Sequence, residues 1–287
     1  MELKHTATRN ARLSAILRED MGLSAGLMNR LKWQGLLFVN GQSQRTNYPV
    51  TVGDVVSVPL DDAPPEYPAE DGPLTVLYED RHILAVDKPA GMLIHPSRSR
   101  LTGTLANLVA GYYQKTGQTS AFHPVTRLDR DTFGIVLLAK NAHVHALLNQ
   151  LHSQDAIQKI YHAFVFGGPE TASGVIDAPI QRLPLPSLLR QVSPEGKPSV
   201  TEYRVLERLD SVTRLALRPV TGRTHQLRVH CAHMGWPILG DPQYHTPASL
   251  AYSREKGLFT QRLCAKSLEL PHPVTGEPLH LRSLLDP

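Results

Sequence analysis

Two cysteines in 287 residues, Cys231 and Cys264, are too few for a disulfide framework, and their spacing builds no metal cluster. No run of 18 or more apolar residues occurs, and the opening MELKHTATRNARLSAIL lacks the apolar stretch of a secretory signal. The expectation is a cytoplasmic protein without a membrane partner. No glycine-rich phosphate loop follows a strand pattern, so nothing points to a bound nucleotide. What remains is an ordinary globular composition, 41% hydrophobic and 20% charged, in a chain long enough for one or two domains.

The charge is uneven. Residues 1–60 hold seven Lys/Arg against four Asp/Glu, residues 61–73 hold five acids and no base, and the remainder is basic, for a net charge of +4. The acidic stretch also concentrates proline: residues 59–73 contain five prolines and five acids without any helical or strand period. That composition describes a stiff, solvated linker at 61–73 between a small unit at 1–60 and a larger one at 74–287. Basic folded parts suit a polyanionic partner such as RNA.

In the first unit Leu13, Ile16 and Leu17, then Leu27, Leu31 and Leu36, recur at helical spacing, with Ser24 as N-cap and Gly35 as stop for the second helix. Val39-Asn40-Gly41 reads as a tight turn and Val52–Val58 as a strand. The second unit opens with two short strands around Glu79-Asp80-Arg81. A helical stretch near Leu101–Tyr113 follows, and then the polar turn Arg127-Leu128-Asp129-Arg130 runs into the apolar strand Ile135–Ala139. A carboxylate between guanidiniums at the mouth of a rigid strand stays ionised and is a nucleophile candidate. The plainer reading is a solvated surface ion pair. Asn141 caps a helix with the stripe Val144, Leu147, Leu148 and Leu151, and the strand Gln158–Phe166 places Lys159, Tyr161, Ala163 and Val165 on one face. Residues 182–198 read as an irregular proline-rich excursion. Thr224 is expected to cap a helix carrying Leu227 and Cys231 on one face and His225 and Arg228 on the other. His225, His230 and His233 lack the spacing of a zinc helix, so no metal is expected.

Residues 127–141 resemble the Arg-Leu-Asp motif of the RluA/RluD-type pseudouridine synthases, with departures at Thr126, where that family usually has His, and Phe133, where it usually has Ser. Lys88-Pro89-Ala90-Gly91 with His95-Pro96 is similar to the family's first motif, and Gly222–Arg228 to its third. The N-terminal unit resembles the α-L RNA-binding motif. The resemblance implies an α+β fold: a small α-L domain, then a catalytic domain whose large, mostly antiparallel mixed sheet is flanked by helices and loops. It implies isomerisation of uridine to pseudouridine in structured RNA, ribosomal RNA first and transfer RNA second, by a monomer without cofactor.

In that reading Asp129 is the nucleophile, attacking either the sugar or the uracil ring. Arg228 pairs with Asp129, and Tyr161, otherwise a core aromatic, stacks on the base. Arg127, Arg130, Arg223, Gln226, His95 and Lys88 face substrate or RNA, Lys88 equally being structural. Arg12, Arg30 and Lys32, with Arg18 and Arg45, supply phosphate contacts. Phe133 either wedges beside a flipped base or fills core. The competing readings are an RNA-binding protein with a decayed site, and a glycosidase. The latter needs a second carboxylate, for which Asp131 is the only acid nearby in sequence.

Overall fold

The computed structural model describes residues 2–60, 67–97 and 100–287. In the N-terminal part β1 (Glu2–Thr6) runs toward a short helical turn at Leu13–Ala15. That turn widens into a five-residue π-helical segment, Ile16–Asp20, where the apolar spacing predicts a regular helix. The segment still buries Leu13, Ile16 and Leu17 completely. Helix α1 (Ala25–Gln34) starts where Ser24 Oγ accepts the Leu27 amide at 3.3 Å and ends where Gly35 turns left-handed at φ 68°. The hairpin β2 (Phe38–Val39) and β3 (Gln42–Ser43) closes on Asn40 and Gly41, whose φ angles of 50° and 78° are those a two-residue turn demands.

Strand β4 (Val55–Pro59) begins three residues later than its apolar pattern predicts. The Asp54 carboxylate accepts the Thr51 amide at 2.8 Å and Gly53 takes φ 92°, so residues 51–54 turn instead of extending. β4 lies between β1 and β2, and a hydrophobic cluster drawn from residues 7–60 alone fills this part. Of the proline-rich acidic segment, residues 61–66 lie outside the described residues. Residues 67–73 run along helix α2 (Leu105–Lys115): Asn107 Nδ2 donates to the Pro68 carbonyl, and the Glu70 carboxylate accepts the Gly103 amide at 2.8 Å.

A ten-stranded sheet dominates the rest. β5 (Thr75–Glu79) and β6 (Ile83–Lys88) form its first hairpin. β6 pairs with β7 (Phe133–Ala139), which leads into helix α3 (Ala142–Ser153), capped by Asn141 Oδ1 on the Val144 amide at 2.9 Å. Alternation along β6 and β7 explains the layering. Leu84, Val86, Val136 and Leu138 meet Leu105 and Val109 of α2, whereas Ile83, Ala85, Ile135 and Leu137 meet Val144 and Leu148 of α3. Both faces are covered, so both strands read as unbroken apolar runs.

β8 (Gln158–Phe166) and β9 (Ser173–Asp177) follow, then β10 (Ile180–Arg182) and β11 (Arg190–Val192). The last two pair as a hairpin whose turn and second strand lie inside 182–198, the stretch whose composition predicts irregular backbone. β12 (Val200–Leu209), β13 (Val212–Pro219), helix α4 (Gln226–His233), helix α5 (Pro247–Glu255), β14 (Leu263–Pro271) and β15 (Pro278–Arg282) complete the chain. Sheet order is β9-β12-β13-β8-β14-β7-β6-β5, with β15 on β14 and the two-residue strand His123–Pro124 on β7. Pairing is antiparallel except where β7 meets β14 through Phe133–Cys264 and Gly134–Ala265, which makes the sheet mostly antiparallel and mixed, as expected. Leu227 and Cys231 of α4 pack with Ala163, Val165 and Leu215.

The parallel contact sits at the root of the Asp129 turn. Phe133 is 6% exposed and fills core, which removes its reading as a wedge beside a base. Gly134 holds φ 105°, and a Cβ there would stand 2.4 Å from the Ala265 carbonyl oxygen. Gly134→Ala therefore incurs both backbone strain and a backbone clash, and a loss of roughly 2–4 kcal/mol in urea unfolding is expected. A loss under about 0.5 kcal/mol would show that the two strands separate freely at this point.

Candidate active site

Asp129 lies on the wall of a cavity of about 650 Å³, together with Tyr161, His225, Arg228 and Leu263. Three local features hold its turn. Thr126 Oγ1 accepts the Leu137 amide at 2.9 Å, fastening the entry of the turn to β7. Lys88 Nζ, wholly buried, donates to the carbonyls of Pro89, Met92 and Arg130, each at 2.9 Å. Arg130 folds back on Asp131 at 3.0 and 2.8 Å. Lys88 is thus a structural clamp between two loops and does not face RNA. Arg130 lines the cavity while pairing with Asp131, and Asp131 is not among the residues on the cavity wall.

The guanidinium that reaches Asp129 comes from 99 residues further along the chain. Arg228 Nη1 donates to Asp129 Oδ2 at 3.1 Å. The rest of its fork is spoken for: Nε and Nη2 donate to the two oxygens of Asp241 at 2.7 and 2.8 Å, and Nη2 also donates to Gln243 Oε1 at 2.8 Å. The Tyr244 ring lies 4.9 Å from the guanidinium carbon. Arg228 is 4% and Asp241 2% exposed. Burial works against the charge on Arg228, but hydrogen bonding and attraction from Asp241, and then from Asp129, outweigh it and raise its pKa. Asp241 also accepts the Gln243 and Tyr244 amides at 2.9 and 3.1 Å, so its own position follows from a tight turn. Sequence reasoning passed over Asp241, Gln243 and Tyr244. The available signal was an acid between Gly240 and Pro242, directly after the helix that carries the arginine.

Helix α4 starts differently from its predicted form. His225, not Thr224, is the N-cap, in the left-handed region at φ 59° and without a side-chain cap bond. The loop before it is held instead by Gln226, whose Oε1 accepts from Arg223 N and Thr221 Oγ1, and whose Nε2 donates to Val200 O and Thr201 Oγ1. Gln226 is buried at the cavity wall with its amide fully used, so it supports the loop. His225 Nδ1 lies 2.9 Å from Tyr244 Oη, and that oxygen accepts the Arg190 amide at 2.8 Å. The Tyr244 hydroxyl thus bridges the Arg190 amide and the His225 ring, whose Nε2 lies 4.0 Å from Asp129 Oδ2. Burial lowers the pKa of His225 against the pull of Asp129, favouring a neutral ring.

Tyr161 stands on β8 at a register shift in its ladder with β14. Burial, then Asp129, push its phenol above the ordinary range, so it is a neutral aromatic on the cavity wall. Arg127 and His95 are exposed and line the cavity, with the His95 ring edge-on to Phe122 at 5.2 Å. Exposed Arg223 also lines it while donating to the Pro198 carbonyl at 3.1 Å. Arg12, Arg30 and Lys32 are exposed on the N-terminal part, outside this cavity. His230 is buried on Thr201 and the Ala178 carbonyl, and no metal-holding cluster occurs among the described residues.

Two outcomes follow from the clamp and the fork. Burial pulls the Lys88 ammonium down to about 8, against attraction from Asp131 and Asp129. Above that pH it loses one of three donors, so kcat is expected to fall as pH rises through 8. The unfolded chain holds this proton up to about 10.5, so the same group adds stability as pH rises from 8 to 10.5. Activity flat to pH 10 would remove the clamp from the catalytic account. Asp241→Asn leaves the Arg228 fork without its charged anchor, and kcat is expected to drop about 10- to 100-fold with RNA affinity unchanged. Single-turnover kinetics beside filter binding separates the two effects.

The chain matches the RNA pseudouridylate synthase family model over residues 82–233. It is 35% identical over 269 residues to an uncharacterised RNA pseudouridine synthase of Bacillus subtilis, covering 93% of each chain. It is 39% identical over 219 residues to ribosomal large subunit pseudouridine synthase D of Pseudomonas aeruginosa, covering 74% of this chain and 68% of the relative. Human RNA pseudouridylate synthase domain containing 4 superposes with a TM-score of 0.61 at 26% identity, over 74% of this chain and 88% of that one. The family model spans more than half of the chain and the relatives match it along most of its length: the chain is a member of the RNA pseudouridylate synthase family, an isomerase that acts on RNA.

Proposed function

We propose that this chain converts specific uridines of ribosomal RNA to pseudouridine, with Asp129 as nucleophile. The observation that carries the proposal is the Asp129–Arg228 contact at 3.1 Å, backed by the buried Asp241. The reaction breaks the N1–C1′ bond of uridine and forms a C5–C1′ bond. C5 loses a proton, N1 gains one, and neither electrons nor groups are exchanged with a cofactor. Asp129 takes the covalent step, on the sugar or on the ring. Arg228 keeps it aligned and charged, because a carboxylate leaving water without a partner would take up a proton instead. Tyr161 stacks on the uracil, which has to be turned out of any helix to reach the cavity. Arg127, Arg223 and His95, exposed around the cavity, meet the flanking RNA. Relatives named for the ribosomal large subunit support ribosomal RNA as the substrate.

Residues 1–60 form the RNA-binding unit and 74–287 the catalytic one, in a cytoplasmic monomer. Arg12, Arg30 and Lys32 contribute phosphate contacts from the first unit. Thr126 and Phe133 do not favour a decayed site. The first spends its hydroxyl on the Leu137 amide and the second lies in core, so neither displaces Asp129 from Arg228.

The test is release of tritium from C5-labelled uridine in ribosomal RNA lacking the modification. Wild type is expected to release tritium, and Asp129→Asn to release none while binding the same RNA with unchanged affinity. Binding without release by either protein, across ribosomal and transfer RNA, would leave an RNA-binding protein with a decayed site.

A further inference from the structure

Trp33 is 85% exposed, whereas Trp236, the only other tryptophan, is 5% exposed and packs on Tyr203. Leaving an indole in water forgoes about as much free energy as a buried side chain contributes, so its surroundings bear on what covers it. Helix α1 buries Leu27, Met28 and Leu31 on one side. Its outer side presents Asn29, Arg30, Lys32 and Trp33, and the helix contains no acid. Lys32 Nζ lies 5.7 Å from the Trp33 ring centroid. Ser43 Oγ donates to the Gly35 carbonyl at 2.7 Å, which brings β3, and with it the chain leading to exposed Arg45, alongside the end of the helix. Of the four acids in residues 1–60, Glu2 pairs with Lys4, Glu19 and Asp20 pair with Arg9, and Asp54 takes Asn40 and Thr51.

We infer that Trp33 is a stacking platform for an unpaired base of the RNA, at a nucleotide other than the target uridine, with Arg30, Lys32 and Arg45 taking the flanking phosphates. It rests on the reading that residues 1–60 bind RNA, and it adds what that surface recognises. Phosphate contacts alone hold duplex and single strand alike, whereas an aromatic face selects a base that is free to stack. Two other occupants fit less well. An apolar protein surface would meet one aromatic surrounded by cations and amides. A second copy, docking this face on itself, would set like charges against each other. Trp33 does not line the Asp129 cavity, so the base it holds is a second point of attachment.

The experiment uses the full chain and two probes of equal length, a stem-loop RNA and a blunt duplex RNA. Because Trp236 is buried, the difference in fluorescence between wild type and Trp33→Phe reports Trp33. Stem-loop RNA is expected to quench that signal and duplex RNA to leave it unchanged. Trp33→Ala is expected to weaken stem-loop binding about tenfold and duplex binding not at all, with an unaltered slope of log affinity against log salt, since no cation is removed. Trp33→Phe is expected to recover most of the loss. Lys32→Gln is expected instead to weaken both probes and to reduce the slope by about one.

Equal quenching by both probes, or unchanged stem-loop affinity in Trp33→Ala, overturns the inference. So does a wild-type dimer in sedimentation that Trp33→Ala converts to monomer. Loss of tritium release from every RNA while the stem-loop quench persists would remove the enzymatic reading and leave the platform standing. Full release with an unchanged KM for ribosomal RNA in Trp33→Ala would remove the platform and keep the enzyme.

Discussion

The site depends on a guanidinium that is almost wholly buried, 4% exposed at the cavity wall. A buried arginine is costly unless every donor finds an acceptor and its charge meets an opposite one. Arg228 comes close to that condition by dividing its fork, with four of its five N–H groups given to named acceptors. One edge is given to Asp241, which is buried with it, and the remaining nitrogen is given to Asp129, which faces the cavity. The division is asymmetric. Asp241 accepts two bonds from the guanidinium and two from backbone amides, so it anchors the arginine. Asp129 faces the cavity with 30% of its side chain exposed.

The sheet supplies the rigidity that this division needs. Asp129 precedes β7, a strand covered on both faces, and Arg228 belongs to a helix packed on β8 and β13. β14 lies between β7 and β8, and the only parallel ladder in the described sheet is the one at Phe133 and Gly134. Lys88, from the neighbouring β6, stitches the Arg130 carbonyl to the loop after that strand. The chain of positioning thus runs from backbone to backbone through one buried ammonium. The departures at Thr126 and Phe133 are absorbed by the scaffold, since a hydroxyl suffices to accept the Leu137 amide and a ring fits the core at that point.

A second chain of contacts connects the outer surface with the same carboxylate. The Arg190 amide belongs to a hairpin strand, Tyr244 accepts from it, His225 Nδ1 lies 2.9 Å from the Tyr244 hydroxyl, and His225 Nε2 lies 4.0 Å from Asp129.

Residue order along the chain was enough to determine what depends on near neighbours. Ser24, Asn40-Gly41 and Asn141 each satisfy or bend backbone within three residues, and the turns and caps they signal are present. The apolar runs of β6 and β7 likewise announce buried strands, and three ordered motifs carried the resemblance to the family. Tertiary structure alone decided which polar side chains face substrate and which hold the frame. Lys88 and Gln226 sit in motifs that resemble substrate-facing ones, yet they are consumed by carbonyls and amides brought to them by other strands. Thr224 lost the cap to His225 because Gln226 fastens the loop to Val200 and Thr201 on β12. Asp241 was illegible for the same reason: an acid in a turn has no meaning until the fold delivers the arginine that it must neutralise.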